Sequence, residues 1–222
     1  MNILIVAATE LELNAIRKLN LAQDSYINLS NSHISYLCTG VGIPAAMFSI
    51  ATYIANNPID FCINIGIAGS LNPNIKIGQL CSIENDIFGD LGAESADGKL
   101  LDLYDLDLLK LNDTSFVIGK LFNKNAAILP EIVCVNASTV QKVLGTSESI
   151  ERFLLKYPDT DIETMESATI AYACIKNNIP FYCLRSISNK VEARNRATWN
   201  IELALQNLST CMPSLIKKII EI

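Results

Sequence analysis

At 222 residues, half of them hydrophobic and 18% charged, the chain carries enough apolar material for a substantial core, which excludes a disordered or linker-like protein. Its net charge of −6 argues against nonspecific nucleic-acid binding, and no window reaches the roughly 18 consecutive apolar residues of a membrane span. Seven cysteines, none in a CxxC pair, read as small buried hydrophobes of a reducing, cytoplasmic compartment. The one histidine, His33, stands in a polar turn without a sequence partner for a triad or a metal, so no metal or organic cofactor is implied. Chemistry falls to carboxylates and amides.

The opening run MNILIVAATELELN lacks a basic n-region and a cleavage site, and Asn2 to Ala8 reads as a first strand covered on both faces. Thr9 is then a helix N-cap with Glu12 at the capping-box position. Glu12 is either that structural cap or a carboxylate facing a ligand at the strand's carboxyl end. Ile34 to Thr39 is a second strand, and Gly40-Val41-Gly42-Ile43-Pro44 turns into a helix from Ala45 to about Asn56. A lone GxG, with no third glycine and no acidic residue about 20 positions on, is weak as a dinucleotide fingerprint.

Phe61 to Gly66 reads as a central strand, continued by Ile67 to Ser70 as a bulged or bent segment. Gly78 to Ile83 is another strand, and Phe88 to Glu94 an acidic, glycine-rich loop. From Ser95 to Ile128 leucines and aspartates mix without a clean period, which suggests loop, a short helix and a partner contact. There Leu101, Leu103, Leu106, Leu108 and Leu109 seek cover. Glu131 to Asn136 is a strand leading to Ser138-Thr139-Val140-Gln141, and Ser149 to Tyr157 a short amphipathic helix.

Ser167 to Lys176 has small and apolar residues at helical spacing, stopped by Asn177, Asn178 and Pro180. Phe181 to Ile187 is a buried strand ending in Ser188 and Asn189. A helix entered by Met165 and Glu166, followed by a strand leaving at Asn189, can bring a carboxylate and an amide to one crevice at the strands' carboxyl ends. Taken alone, Glu166 is equally a charge on the helix macrodipole and Asn189 a turn residue. Trp199 to Ile222 forms one or two closing helices, split near Pro213. The whole, residues 1–222, reads as a single α/β domain with a central mixed twisted sheet flanked by helices.

Met165-Glu166-Ser167-Ala168 and Arg185-Ser186-Ile187-Ser188-Asn189 resemble the MEA…RAISD signature of the purine nucleoside phosphorylase and nucleosidase superfamily. Asn64 to Gly69 is similar to its glycine run, and FGDLGAE at Phe88 to Glu94 to the futalosine hydrolase family within it. The resemblance runs from Met1 to about Leu208. It implies a nucleoside phosphorylase-like fold, a small-molecule nucleoside substrate, no cofactor and a homo-oligomer, at least a dimer. It further implies hydrolysis of futalosine to hypoxanthine in menaquinone biosynthesis.

By that resemblance Glu12 activates water, Glu166 holds the ribose hydroxyls, Met165 is an apolar floor, and Ile67 and Val140 lie against the substrate. Trp199 falls near the 5′ substituent, and Arg194 or Arg196 suits the carboxylate of a benzoate there. Adenine-cleaving relatives have an aspartate where this chain has Asn189. A carboxamide there can donate to a 6-oxo group and accept from a protonated N7, which leaves that proton to arrive through water. Between Lys18 and Lys76 there is no Lys or Arg, which favours water over phosphate as nucleophile. A 6-oxopurine nucleoside phosphorylase, a methylthioadenosine nucleosidase and a catalytically silent nucleoside-binding protein remain the alternatives.

Overall fold

The apolar run at the start of the chain forms β1 (Asn2–Ala7), whose side chains alternate between two cores: Leu4 and Val6 on one face, Ile3, Ile5 and Ala7 on the other. Burial on both faces is why it reads as an unbroken apolar run. The computed structural model describes residues 1–19, 32–110, 115–117 and 119–221.

In chain order, β1 leads to α1 (Glu10–Arg17), β2 (His33–Cys38) to α2 (Ile43–Asn56), and β3 (Phe61–Ser70) to β4 (Leu80–Phe88). A hairpin of β5 (Gly92–Glu94) and β6 (Leu100–Asp102) follows, then β7 (Leu121–Phe122), β8 (Val133–Thr139), α3 (Ser147–Lys156) and β9 (Ile162–Thr164). Next come α4 (Ser167–Lys176), β10 (Phe181–Lys190) and α5 (Ile201–Ile220).

The sheet is eight-stranded and mixed. Five of its strands close on themselves: β3 pairs with β10, β10 with β4, β4 with β8, β8 with β9, and β9 with β3. β1 and β2 extend it in parallel from β3, and β7 lies against β4. Ala46 and Ile50 of α2 join Ala168, Ile170 and Ala171 of α4 in one core, while Leu13 and Ile16 of α1 join Leu208, Met212 and Leu215 of α5 in the other. No helix among the described residues is long and apolar enough to cross a membrane.

Several elements differ from their sequence reading. α2 begins at Ile43 and takes Pro44 into its first turn, where the missing N–H would have had no partner in any case. β3 is one strand through Ser70, and β10 runs on through Ser188 and Asn189 to Lys190, with a bulge between Ile187 and Asn189. Residues 92–94 of the glycine-rich loop are a hairpin strand, and the described part of 95–128 holds β6, β7 and turns; residues 111–114 and 118 lie outside the described residues.

β9 is a strand the sequence did not announce. α5 crosses Pro213 without a break, because Leu208, Met212, Leu215, Ile216 and Ile219 bury one continuous stripe on both sides of it. Ile222, the end of the expected closing helices, lies outside the described residues, as does most of the polar turn before His33. His33 itself is the exposed first residue of β2. Four of the cysteines are buried and Cys38 and Cys211 half-buried, but Cys134 lies in the exposed first two residues of β8, the strand becoming buried only towards Thr139.

Candidate active site

β1, β2 and β9 each end just before a helix, and residues at or next to the starts of α1, α2 and α4 line one cavity at those strand ends. A cavity of about 440 Å³ lies there, and Thr9, Glu12, Val41, Met165, Glu166 and Asn189 are among the residues lining it. Ligands of open α/β sheets bind at such carboxyl ends.

Glu12 is a cap and a cavity wall at once. Its Oε2 accepts from the Thr9 backbone N–H at 3.0 Å and from Thr9 Oγ1 at 2.7 Å, while the Glu12 N–H donates to Thr9 Oγ1 at 3.3 Å. Its Oε1 accepts from the Ile67 N–H at 3.1 Å, which ties α1 to β3. The expected capping box is formed, and the same side chain lines the cavity.

Glu166 sits at the N-cap of α4, but its side chain does not cap that helix. Its Oε1 accepts from the Gly42 N–H, 2.7 Å away at the start of α2. Gly42 has φ +87°, and a Cβ there would come within 2.9 Å of Gln141 Oε1, so the turn requires glycine. Burial pushes the Glu166 carboxyl up; the Gly42 N–H and the Arg185 guanidinium hold it down, and Glu12 pushes it up again.

Asn189 stands at the β10 bulge. Its Nδ2 donates to the Lys190 carbonyl at 2.9 Å, and its Oδ1 accepts from Ser188 Oγ at 2.8 Å. Only the NH₂ end can donate to a carbonyl, so this network fixes the amide's orientation. One N–H and one oxygen lone pair remain for a ligand.

Ile67, Met165, Trp199, Arg194 and Arg196 also line the cavity. The guanidiniums of Arg194 and Arg196 lie 5.7 and 5.8 Å from the Trp199 ring centroid, so both are gathered at the cavity mouth by cation–π attraction. Val140 does not join them. It is 1% exposed, its N–H bound to the Thr164 carbonyl at 3.0 Å, and Val143 and Leu144 form that wall instead.

Three polar residues went unassigned in the sequence. Glu163, on β9, is 6% exposed and lines the cavity. Arg185 is 2% exposed beneath Gly66, donating to the Asn64 carbonyl at 3.2 Å and to the Leu184 carbonyl at 2.9 Å. Its charge in the middle of an apolar strand was the available signal, because buried charges are seldom idle. Asp86, on β4, accepts from Thr139 Oγ1 at 3.2 Å and from Ser167 Oγ at 2.5 Å, and the Ala168 N–H donates to Thr139 Oγ1 at 2.8 Å. These bonds anchor the first turn of α4, which presents Glu166. No group of three His, Cys, Asp or Glu side chains placed to hold a metal ion occurs among the described residues.

Residues 2–221 match the family model described as the Phosphorylase superfamily. The chain belongs to that superfamily. Its fold is the single-domain α/β, nucleoside phosphorylase-like one. Among superfamily relatives, it is 30% identical over 192 residues (82% of this chain, 73% of the relative) to a 5′-methylthioadenosine/S-adenosylhomocysteine nucleosidase of Buchnera aphidicola. It is 29% identical over 191 residues (81% and 77%) to a futalosine hydrolase of Streptomyces coelicolor. The solved futalosine hydrolase of Helicobacter pylori shares the fold with a TM-score of 0.79 at 18% identity, over 100% of this chain and 98% of that one.

Proposed function

We propose that this protein is a nucleosidase that hydrolyses the N-glycosidic bond of a 6-oxopurine nucleoside, futalosine, to release hypoxanthine. The observation that carries the reading is the meeting of Glu12, Glu166 and Asn189 on one cavity, each with an acceptor lone pair or N–H left to offer after its structural bonds are counted. Breaking a ribosyl–purine bond builds positive charge on the sugar and negative charge on the base. Glu166 accepts from the ribose hydroxyls and faces the cationic sugar. Glu12 orients and deprotonates the attacking water, and Met165 lies under the ribose.

Asn189 supports the 6-oxopurine half of the reading, since its free N–H donates to O6 and its free lone pair accepts from N7–H. Arg194 and Arg196, both held over the Trp199 ring, support a carboxylate-bearing 5′ extension. The cations lining the cavity, Lys190, Arg194 and Arg196, belong to β10 and the segment after it, whereas the Gly40 to Gly42 turn carries none; that supports water over phosphate. Buried free cysteines suit a cytoplasmic setting. The exposure of Phe48 (75%) and Leu108 (71%) supports at least a homodimer, which a monomeric mass by light scattering at micromolar concentration would refute.

Incubation with futalosine, inosine and methylthioadenosine, with and without phosphate, followed by chromatography of the released base, tests the reading. Hypoxanthine released from futalosine without phosphate is the expected result. A strict need for phosphate would make the protein a phosphorylase. Adenine released fastest, from methylthioadenosine, would put it with the other nucleosidases.

A further inference from the structure

The nucleosidase reading leaves one part unfilled. The departing purine takes the electron pair of the broken bond and needs a proton, and an amide such as Asn189 cannot give one. Across the ladder the partner of Asn189 is Gly69 on β3, and the partner of Gly69 on the other side is Glu163 on β9. Residues paired across a ladder point to the same face, so Asn189 and Glu163 rise on either side of a residue without a side chain. A Cβ on Gly69 would come within 3.2 Å of Asn189 Nδ2 and 2.8 Å of Val191 Cγ2, closing the slot. Both side chains line the cavity.

One Glu163 oxygen, Oε2, is held by the Leu144 N–H at 2.9 Å, which fixes the carboxyl and leaves Oε1 for the cavity. We propose that Glu163 is the general acid that protonates the departing base from across Gly69. This rests on the nucleosidase reading. The C1′–N bond breaks with its electrons going to the purine, and the Glu163 carboxyl proton goes to a ring nitrogen of that purine. The water oxygen bonds to C1′ and gives a proton to Glu12, and exchange with solvent restores both carboxyls.

The surroundings suit the role. Burial pushes the Glu163 carboxyl up to about 7; the Leu144 N–H lowers it, and Asp90, on the turn after β4, raises it. The flanking strands β3 and β8 bring no charged residue, and Lys142 stands on the loop that holds Oε2. Glu12, in the first turn of α1, and Glu166, three residues on from Glu163 at the N-cap of α4, line the same cavity, while Lys190, Glu192, Arg194 and Arg196 stand on β10 and the segment after it. A carboxyl with such a value carries its proton near neutrality and loses it as pH rises.

The test compares Glu163→Gln with wild type on inosine or futalosine and on p-nitrophenyl riboside, whose leaving group needs no proton. Glutamine keeps an oxygen for the Leu144 N–H, so the fold is expected to hold, as circular dichroism checks. Purine nucleoside cleavage should fall by about 10²-fold or more, and p-nitrophenyl riboside cleavage should change by less than about threefold. The wild-type rate on purine nucleosides should decline above pH of about 7, and Glu163→Gln should lose that limb. Glu163→Asp, which keeps an acid, should recover part of the purine rate.

Equal losses on both substrates would reduce Glu163 to a loop anchor and overturn the proposal, as would a wild-type rate that does not decline with rising pH. A wild type that cleaves no purine nucleoside would instead sink the nucleosidase reading beneath it.

Discussion

The N-terminus of α1 is closed by its own residues. Thr9 and Glu12, three positions apart, exchange three hydrogen bonds, and only the Ile67 N–H comes from elsewhere. The N-terminus of α4 is held from a distance: Gly42 lies 124 positions from Glu166, and Asp86 lies 81 from Ser167. The carboxylates facing one cavity are therefore placed by different means. Glu12 is set by a motif that forms with its own helix turn, whereas Glu166 is in place only once β4, β8 and β9 have closed on one another. Damage at α1 should stay local, and damage around α4 should reach the sheet.

The largest effect is expected from Glu12→Gln. Glutamine keeps an acceptor for Thr9 or Ile67 but cannot take a proton, so kcat should fall by about 10²–10⁴-fold while nucleoside binding survives. Kinetics set beside urea unfolding check this. Activity lost only in step with stability would leave Glu12 a cap and nothing more. Glu166→Gln should act on the sugar: riboside affinity falls by roughly 10–100-fold, the range for a lost charge-assisted bond, with free hypoxanthine binding within about twofold. Calorimetric titration with both ligands checks that. Equal losses would remove Glu166 from the ribose.

That contrast also explains what could be read in advance. The capping box was legible because its partners are neighbours, and α4 was legible to the residue because its small apolar stripe and the Asn177-Asn178 stop are local. β9 was not, since three residues cannot display a period of two, and Glu163 was hidden with it. Asp86 fell between the expected strand at 78–83 and the loop at 88–94; its meaning lies in Thr139 and Ser167, brought to it only by the closed strands. Val140 failed for a related reason. The resemblance pointed to residues 138–141, and the wall is held just beyond them by Val143 and Leu144.

The network under α4 makes stability depend on pH. Burial pushes Asp86 from 3.8 up to about 7, against the Ser167, Arg185 and Thr139 contacts that lower it. The folded protein thus holds a proton that the unfolded chain has released between the ordinary carboxylate range and about 7. The stability this contributes is present in full below that window and is lost as pH rises through it to about 7, and Glu163, also raised to about 7, acts in the same direction. A loss of roughly 2–3 kcal/mol from each of the two groups between about pH 5 and pH 8 is expected. Asp86→Asn, which can still bond the hydroxyls of Thr139 and Ser167, should flatten much of that slope in urea unfolding. An unchanged slope would mean that Asp86 carries its charge in the folded protein.

The smallest effect should come from Thr9→Ala, and it bears most directly on the contrast between the helices. The substitution removes the Oγ1 acceptor for the Glu12 N–H and the 2.7 Å donor to Glu12 Oε2, but keeps the backbone N–H bond at 3.0 Å. Loss of an N-cap costs about 1 kcal/mol, and Thr9→Ser should restore most of it. Glu12 stays bound to the Thr9 and Ile67 N–H groups, so kcat should drop by only a few-fold, about 1 kcal/mol of barrier, while riboside affinity through Glu166 is unchanged. If Thr9→Ala instead weakened riboside binding as much as it slowed turnover, the two helix ends would be coupled through the cavity, and the local hold on Glu12 would not be local.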